Sequence, residues 1–429
     1  MTTRRDETVL IVGAGVVGLA AATELAERGI PVVVCDRERP GSGASCGNAG
    51  LASFGHPPLT RPGASWRGLR WMLDRRSPLL IRPRLDPSFL RWLLSFHRHC
   101  RTDHFERSMA VLARLGHASR ERLDRLLDVA GGCDPRPDGW LDVYSTERGR
   151  KAADEEALLH ERFGFPSEPW SGSTLRAREP AYRDGVRGAR HYRHATTLDP
   201  GRLVDGLFRS LEHRGVEFRL GTGVTSLRRD AAGHVHGAIL DDGREIAAGT
   251  TVLAAGAWSD RLAALVGLRL PLEGARGYHV EFESAAPMPS RGAVLHESFI
   301  AITAFNGRLR LAGTLELAGL DRPWMRERLE HLPHAASECL HGLDGATRVG
   351  EWAGYRPCLA DGMPAIGRVP GREGVLVATG HAMMGVTLAP VTGLMIAEHV
   401  CAGRSTFDDP MLDPGRFGPT RTGSHRVAS

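Results

Sequence analysis

Lysine is almost missing from this sequence: of its 55 basic residues only Lys151 is not an arginine. It sits in Glu147-Arg148-Gly149-Arg150-Lys151-Ala152, a charged helix start rather than an apolar pocket. Schiff-base and pyridoxal-type catalysis need a lysine that sheds its proton in a desolvated site, so that chemistry is excluded. The cysteines Cys35, Cys46, Cys100, Cys133, Cys339, Cys358 and Cys401 are scattered and include no C-x-x-C, which argues against a zinc site and a disulfide framework. They read as reduced thiols. The nearest histidine pairs, His97-x-His99 and His331-x-x-His334, lack Cys, Asp or Glu at ligand spacing, so no metal is expected. Long apolar runs are missing too. No stretch reaches the ~18 uninterrupted apolar residues of a spanning helix, and the polar opening Met1 to Glu7 has no secretory apolar region. A cytoplasmic protein is expected. The net charge of +5 comes from arginines interleaved with acids, which describes a solvated surface rather than a nucleic-acid partner.

What is present fits a globular enzyme. With 429 residues, 42 % apolar and 24 % charged, the chain suits two or three cores, and two intertwined domains are expected. Near its start, Thr8 to Val12 is an apolar, β-branched strand followed directly by Gly13-x-Gly15-x-x-Gly18. The glycines permit a tight turn, close approach to a pyrophosphate, and contact between helix and strand. A helix from Val16 to Arg28, carrying Val17 and Gly18 in its first turn, then aims its N–H groups at an anion. Gly29 stops it, and a second strand, Pro31 to Asp36, ends in an acid 18 residues past Gly18, suited to adenosine ribose hydroxyls, with Arg37 beside it.

This pattern does not separate FAD from NAD. Three later features favour FAD. A second strand end, Thr251 to Ser259 with Ala255, Gly256 and Trp258, follows Gly215 to Val224 and suits a return to the nucleotide sheet. Gly374 to His381, through Gly380, leads into a helix at Val386 to Val400, whose start at Gly385, Val386 and Thr387 can face the flavin pyrimidine. The small-residue loop Ser45-Cys46-Gly47-Asn48-Ala49-Gly50 can lie flat against an isoalloxazine ring.

Elsewhere, residues 60–130 turn to Arg- and Trp-rich amphipathic helices, read as a helical insertion over the site or, within 66–96, as a peripheral contact with the inner face of the cell membrane. Alternating segments such as Tyr278 to Phe282 and Leu309 to Gly313 predict an antiparallel sheet. The expected class is α/β, α+β overall: a Rossmann-like FAD-binding domain from 1–60, 197–270 and 350–415, interleaved with an antiparallel-sheet substrate domain from 61–196 and 271–349. Residues 416–429 form a tail.

Taken in order, the motifs resemble the D-amino-acid oxidase superfamily of flavoenzymes, most closely its D-amino-acid dehydrogenase (small subunit) branch. The likeness runs from Val9 to about Asp413. Besides the fingerprint it is carried by Asn48-Ala49-Gly50, Gly68-Leu69-Arg70-Trp71-Met72, Arg276-Gly277-Tyr278, Gly354-Tyr355-Arg356-Pro357, Asp361 to Gly367, and Thr379-Gly380-His381. It implies an amino- or imino-acid substrate whose α-hydrogen leaves as hydride to flavin N5, and an electron acceptor, quinone or other. It implies Arg356 as the carboxylate clamp and Tyr278 as the tyrosine whose hydroxyl joins it. His381 is read as holding the flavin edge through its backbone. His56, Met383 and Met384 depart from the branch pattern and are expected at the substrate pocket. Cys358 does not fit the spacing of a flavin tether, so FAD is expected to be non-covalent. An oxygen-using glycine or sarcosine oxidase, and a non-catalytic flavin-binding subunit, are the alternatives.

Overall fold

The computed structural model describes residues 8–65, 68, 77–283 and 287–418. Two sheets organise it. The first has strand order Ala365–Arg368, Val375–Thr379, Thr250–Leu253, Val9–Val12, Val32–Asp36 and Glu217–Leu220, parallel except for its first strand. The four inner strands are near-continuous buried runs because both faces are covered, whereas the edge strand Glu217–Leu220 is largely exposed. On one face lie the helices Val16–Ala26, Pro200–His213 and Gly385–Ala402, with a shared core that includes Leu19, Leu207 and Ile396. The first helix ends two residues before the expected Arg28, and Gly29 takes the left-handed turn that follows, at φ 71°. The three-stranded sheet Val224–Arg229, Val235–Leu240 and Glu245–Ala247 contributes to the core on the other face.

The second sheet is mostly antiparallel and runs Thr347–Leu359, Leu272–Glu283, Arg308–Leu317, Ile300–Phe305, Gly292–Leu295, Trp140–Tyr144, Gly188–Tyr192 and Glu168–Ser171, with Leu79–Ile81 beside Arg308–Leu317. Residues 350–359, assigned from sequence to the nucleotide-binding part, lie in this sheet, paired with Leu272–Glu283. The helix Thr102–Ala130, assigned to the substrate part, packs on Gly385–Ala402 and Pro200–His213 of the nucleotide-binding layer. Of the proposed membrane-contacting segment, residues 66–67 and 69–76 lie outside the described residues. Its described part holds the strand Leu79–Ile81 and most of the helix Pro87–His99, which buries Phe89 and Trp92. The helix Gly385–Ala402 has the length and mean hydropathy to cross a membrane, yet 67 % of it is buried in the protein. It is a core helix.

Candidate active site

One cavity of 1240 Å³ runs between the two sheets. That exceeds the roughly 300–1,000 Å³ usual for one small ligand and suits a dinucleotide with a substrate. Its nucleotide end is built by the turn after the first strand. Gly13 has φ 118°, and a Cβ there would meet Ala254 O at 2.4 Å; at Gly18 it would meet Gly13 O at 2.0 Å. Gly13, Gly15, Val12, Val16 and Val17 reach the cavity, whereas Gly18 lies behind it, where helix touches strand. The helix at Val16 has no cap from its own N-cap residue; Ser45 Oγ accepts the Val16 N–H at 3.0 Å. Asp36 accepts from Ala14 N at 2.8 Å and Glu38 N at 3.0 Å while lining the cavity. The Arg37 guanidinium stacks on Trp258, 4.1 Å from the ring centroid, and both line the wall.

Ala255, Gly256 and Val224 are on the same wall, as are Ser45, Asn48 and Ala49. Gly50 is off it, at φ 68° and packed against Leu198 O. The loop of residues 45–50 is fastened from the antiparallel sheet. Arg310 donates to Asn48 O at 2.6 Å, His279 Nδ1 to Gly47 O at 2.8 Å, and Thr303 to Ala49 O at 2.7 Å. Trp352 stacks on His279 and sits where a Cβ of Gly47 would be. These four partners have no local signal in the sequence, since they lie 232 or more residues away.

At the other end of the fold's crossover, the last residues of strand Thr347–Leu359 meet the turn before the helix Gly385–Ala402. Ala382 N donates to Pro357 O at 2.9 Å. Met383, Gly385, Val386 and Thr387 line the cavity, and the helix start has no side-chain cap. Met384 reaches the wall but is buried in the core, and Met383 is exposed. Gly380 is off the wall, against Leu359. The imidazole of His381 is tied to Thr392 Oγ1 at 2.9 Å; burial pushes it down to about 4, so it is neutral.

Arg356 lies deep in the protein, yet half-buried by exposure because its surface opens on the cavity. Its Nη1 donates to Thr314 O at 3.1 Å, and among the described residues no carboxylate pairs with it. Burial lowers its affinity for a proton, and nothing acidic restores it beyond the weak field of Cys358. Thr314 holds that carbonyl in place with a left-handed backbone, φ 58°, unusual for a β-branched residue. Tyr278 is on the wall, but its hydroxyl donates to Glu316, and the oxygen accepts from Met325 N at 3.3 Å. The expected hydroxyl turned to a carboxylate is therefore replaced by one committed to a buried acid, itself 2.6 Å from Arg82. His56 lines the cavity as well. Among the described residues no group of three or more His, Cys, Asp or Glu is gathered as a metal would require.

An anion-ready helix start, a glycine cradle, a second uncapped helix facing the same space, and an enclosed arginine define a dinucleotide-dependent oxidoreductase site. The chain matches the family of FAD dependent oxidoreductases, DAO, over residues 8–399, and it belongs to that family. FAD is its cofactor, and the cradle fits it. The D-amino acid dehydrogenase of Xylella fastidiosa is 33 % identical over 420 residues, covering 95 % of each chain. That of Cereibacter sphaeroides is 33 % identical over 398 residues, covering 91 % of each. Among solved structures, glycine oxidase from Bacillus cereus superposes with a TM-score of 0.75 at 21 % identity, covering 99 % of this chain and 100 % of that one. L-proline dehydrogenase from P. horikoshii gives 0.73 at 19 %, covering 96 % and 97 %. The fold is theirs.

Proposed function

We propose that the chain oxidises a D-amino acid, or a cyclic imino acid such as D-proline or hydroxy-D-proline, at the bond between Cα and nitrogen. The observation that carries this reading is Arg356, a guanidinium on the cavity wall that, among the described residues, is hydrogen-bonded to one backbone carbonyl and paired with no carboxylate. A buried charge without a counter-ion is costly, so the site asks for an anion, and the planar fork matches a carboxylate. The D configuration rests on the relatives at 33 % identity, which are D-amino acid dehydrogenases.

Bound FAD supplies the hydride acceptor. The glycine turn and the start of helix Val16–Ala26 would hold the diphosphate, Asp36 the ribose, and the N–H groups of Gly385 to Thr387 the pyrimidine edge. Arg356 clamps the substrate carboxylate so that Cα can reach near-attack distance, roughly 3–3.5 Å. Tyr278 contributes its ring to the wall, with its hydroxyl kept protonated by burial and by Glu316. Met383 and Met384 shape an adaptable apolar margin. The linear imine formed hydrolyses to a 2-oxo acid and ammonia, while a cyclic imine is released as such. The flavin is held without a covalent bond in this reading, and the burial that pushes the Cys358 thiol up to about 12 disfavours the thiolate a tether there would need. Electrons pass to a quinone or another acceptor. Support for an apolar acceptor, and for a peripheral membrane contact within 66–96, comes from the helix Pro87–His99. Leu90 and Leu94 are exposed on it, while its Trp92, Leu93 and Phe96 reach the cavity.

Anaerobic mixing of the yellow protein with D-amino acids, D-proline, glycine, sarcosine and L-enantiomers tests this. The flavin absorbance should bleach with the D-amino or imino acids, and the reduced protein should reoxidise faster with a quinone than with air. Bleaching by glycine or sarcosine alone, or by none of the panel, overturns the reading.

A further inference from the structure

The cavity carries a second polar group at His56, just past the strand Leu51–Ser53. Its protonation can be assigned from one contact. Nδ1 lies 2.8 Å from the Pro57 carbonyl, which can only accept, so Nδ1 carries the proton. Burial first, and then the positive charge of Arg61, hold the ring below the usual histidine range, so it is neutral at pH 7. Nε2 is then a lone-pair acceptor, and among the described residues it has no protein partner.

The charged groups around it are already matched. Arg61 donates through Nη1 and Nη2 to the two carboxylate oxygens of Glu156, at 3.0 and 2.7 Å. His160 stands 3.7 Å from the same carboxylate, and Asp142 is bound by His296 at 3.0 Å. Arg61 is therefore not a second carboxylate clamp. Of these neighbouring groups, His56 Nε2 is the one left as a neutral acceptor among the described residues.

We infer that His56 Nε2 accepts a hydrogen bond from a neutral donor on the substrate side chain, a hydroxyl or amide, and thereby selects hydroxylated D-amino or imino acids over their plain counterparts. This rests on the D-amino-acid reading above. A plain apolar side chain strips water from Nε2 and leaves it unpaired, and sites of that kind discriminate strongly against the analogue lacking the donor.

The test is the anaerobic reductive half-reaction, which reads Kd and the limiting rate separately, with hydroxy-D-proline against D-proline and D-serine against D-alanine. The wild-type protein should favour the hydroxylated member by about tenfold or more, chiefly in Kd. His56→Phe should remove that preference, and His56→Gln, whose carbonyl can accept, should restore part of it. Reduction by both members with a ratio that His56→Phe leaves unchanged overturns the inference and spares the parent reading. Reduction by neither overturns both. Should His56→Phe not fold, a wild-type protein without preference for the hydroxylated members overturns the inference by itself.

Discussion

Gly277 is glycine because of a neighbour: a Cβ there would lie 2.1 Å from Arg356 Nη1 and 2.4 Å from its Cζ. The obstacle is the tip of a side chain rather than backbone, so Gly277→Ala should fold and keep its flavin while displacing the guanidinium. Small misplacements in a clamp are expensive, and KM should rise by about tenfold or more. Steady-state kinetics beside the flavin absorbance checks this; an unchanged KM contradicts it. Thr314 acts on the same group from the other side, where a backbone conformation costing on the order of 1–3 kcal/mol presents its carbonyl to Arg356. Arg356 was singled out through the family resemblance that Gly354-Tyr355-Arg356-Pro357 carries. Thr314 was not, since nothing in Gly313-Thr314-Leu315 announces a left-handed dihedral. Nor was the commitment of the Tyr278 hydroxyl, which depends on Glu316 from the paired strand.

Two helices, Val16–Ala26 and Gly385–Ala402, start at one cavity, the first with its Val16 N–H donated to Ser45 and the second without a side-chain cap. They touch at Gly393, where a Cβ would lie 2.6 Å from Ala20 O. Here the obstacle is backbone. Gly393→Leu should destabilise the fold by about 1–3 kcal/mol and weaken flavin retention, as read by thermal melts and by flavin lost on gel filtration. Unchanged melting would mean that the helices separate freely. The first of these elements was readable from its strand, glycines and terminal acid, and the second from Gly374 to His381. The membership of Thr347–Leu359 was not: its place is fixed by twelve residues of pairing with a strand some 75 positions earlier in the chain, and local pattern carries no such register. The loop of residues 45–50 shows the same limit, since its own composition predicts a flat turn but not Arg310, His279 and Thr303 that fasten it.

For the molecule as a whole, buried histidines dictate the response to acid. Burial pushes His160, His279 and His381 each down to about 4. The unfolded chain takes up their protons near the ordinary histidine value while the folded protein does not. Stability is therefore undiminished above about pH 6.5 and falls as the pH drops from there towards 4, with up to three protons bound on unfolding, each worth about 1.4 kcal/mol per pH unit. Glu156 adds a lower window. Burial works against its ionisation, yet the charge and hydrogen bonds of Arg61 win and hold it down to about 2, so its contribution is present above 4.5 and lost as the pH falls to 2. Denaturant titrations from pH 8 to 4 should show this slope, and a flat profile contradicts it. At this scale the order of motifs from Val9 to Asp413 conveyed the cofactor and the two-sheet plan, because each motif is a local strand, turn or helix start. The meeting of Arg356 with the flavin cradle in one cavity was expected only through the resemblance, and that of His56 only from its departure from the branch pattern, as both depend on the crossing of the two sheets.

The central claim is that Arg356 binds the carboxylate of an amino acid whose oxidation reduces the flavin. The stopped-flow reductive half-reaction of Arg356→Ala, with flavin content verified against wild type, tests it most directly. A loss of substrate and transition-state binding on the order of 2–5 kcal/mol, with flavin retained, is the expected result. Reduction with unchanged Kd and rate would contradict the account.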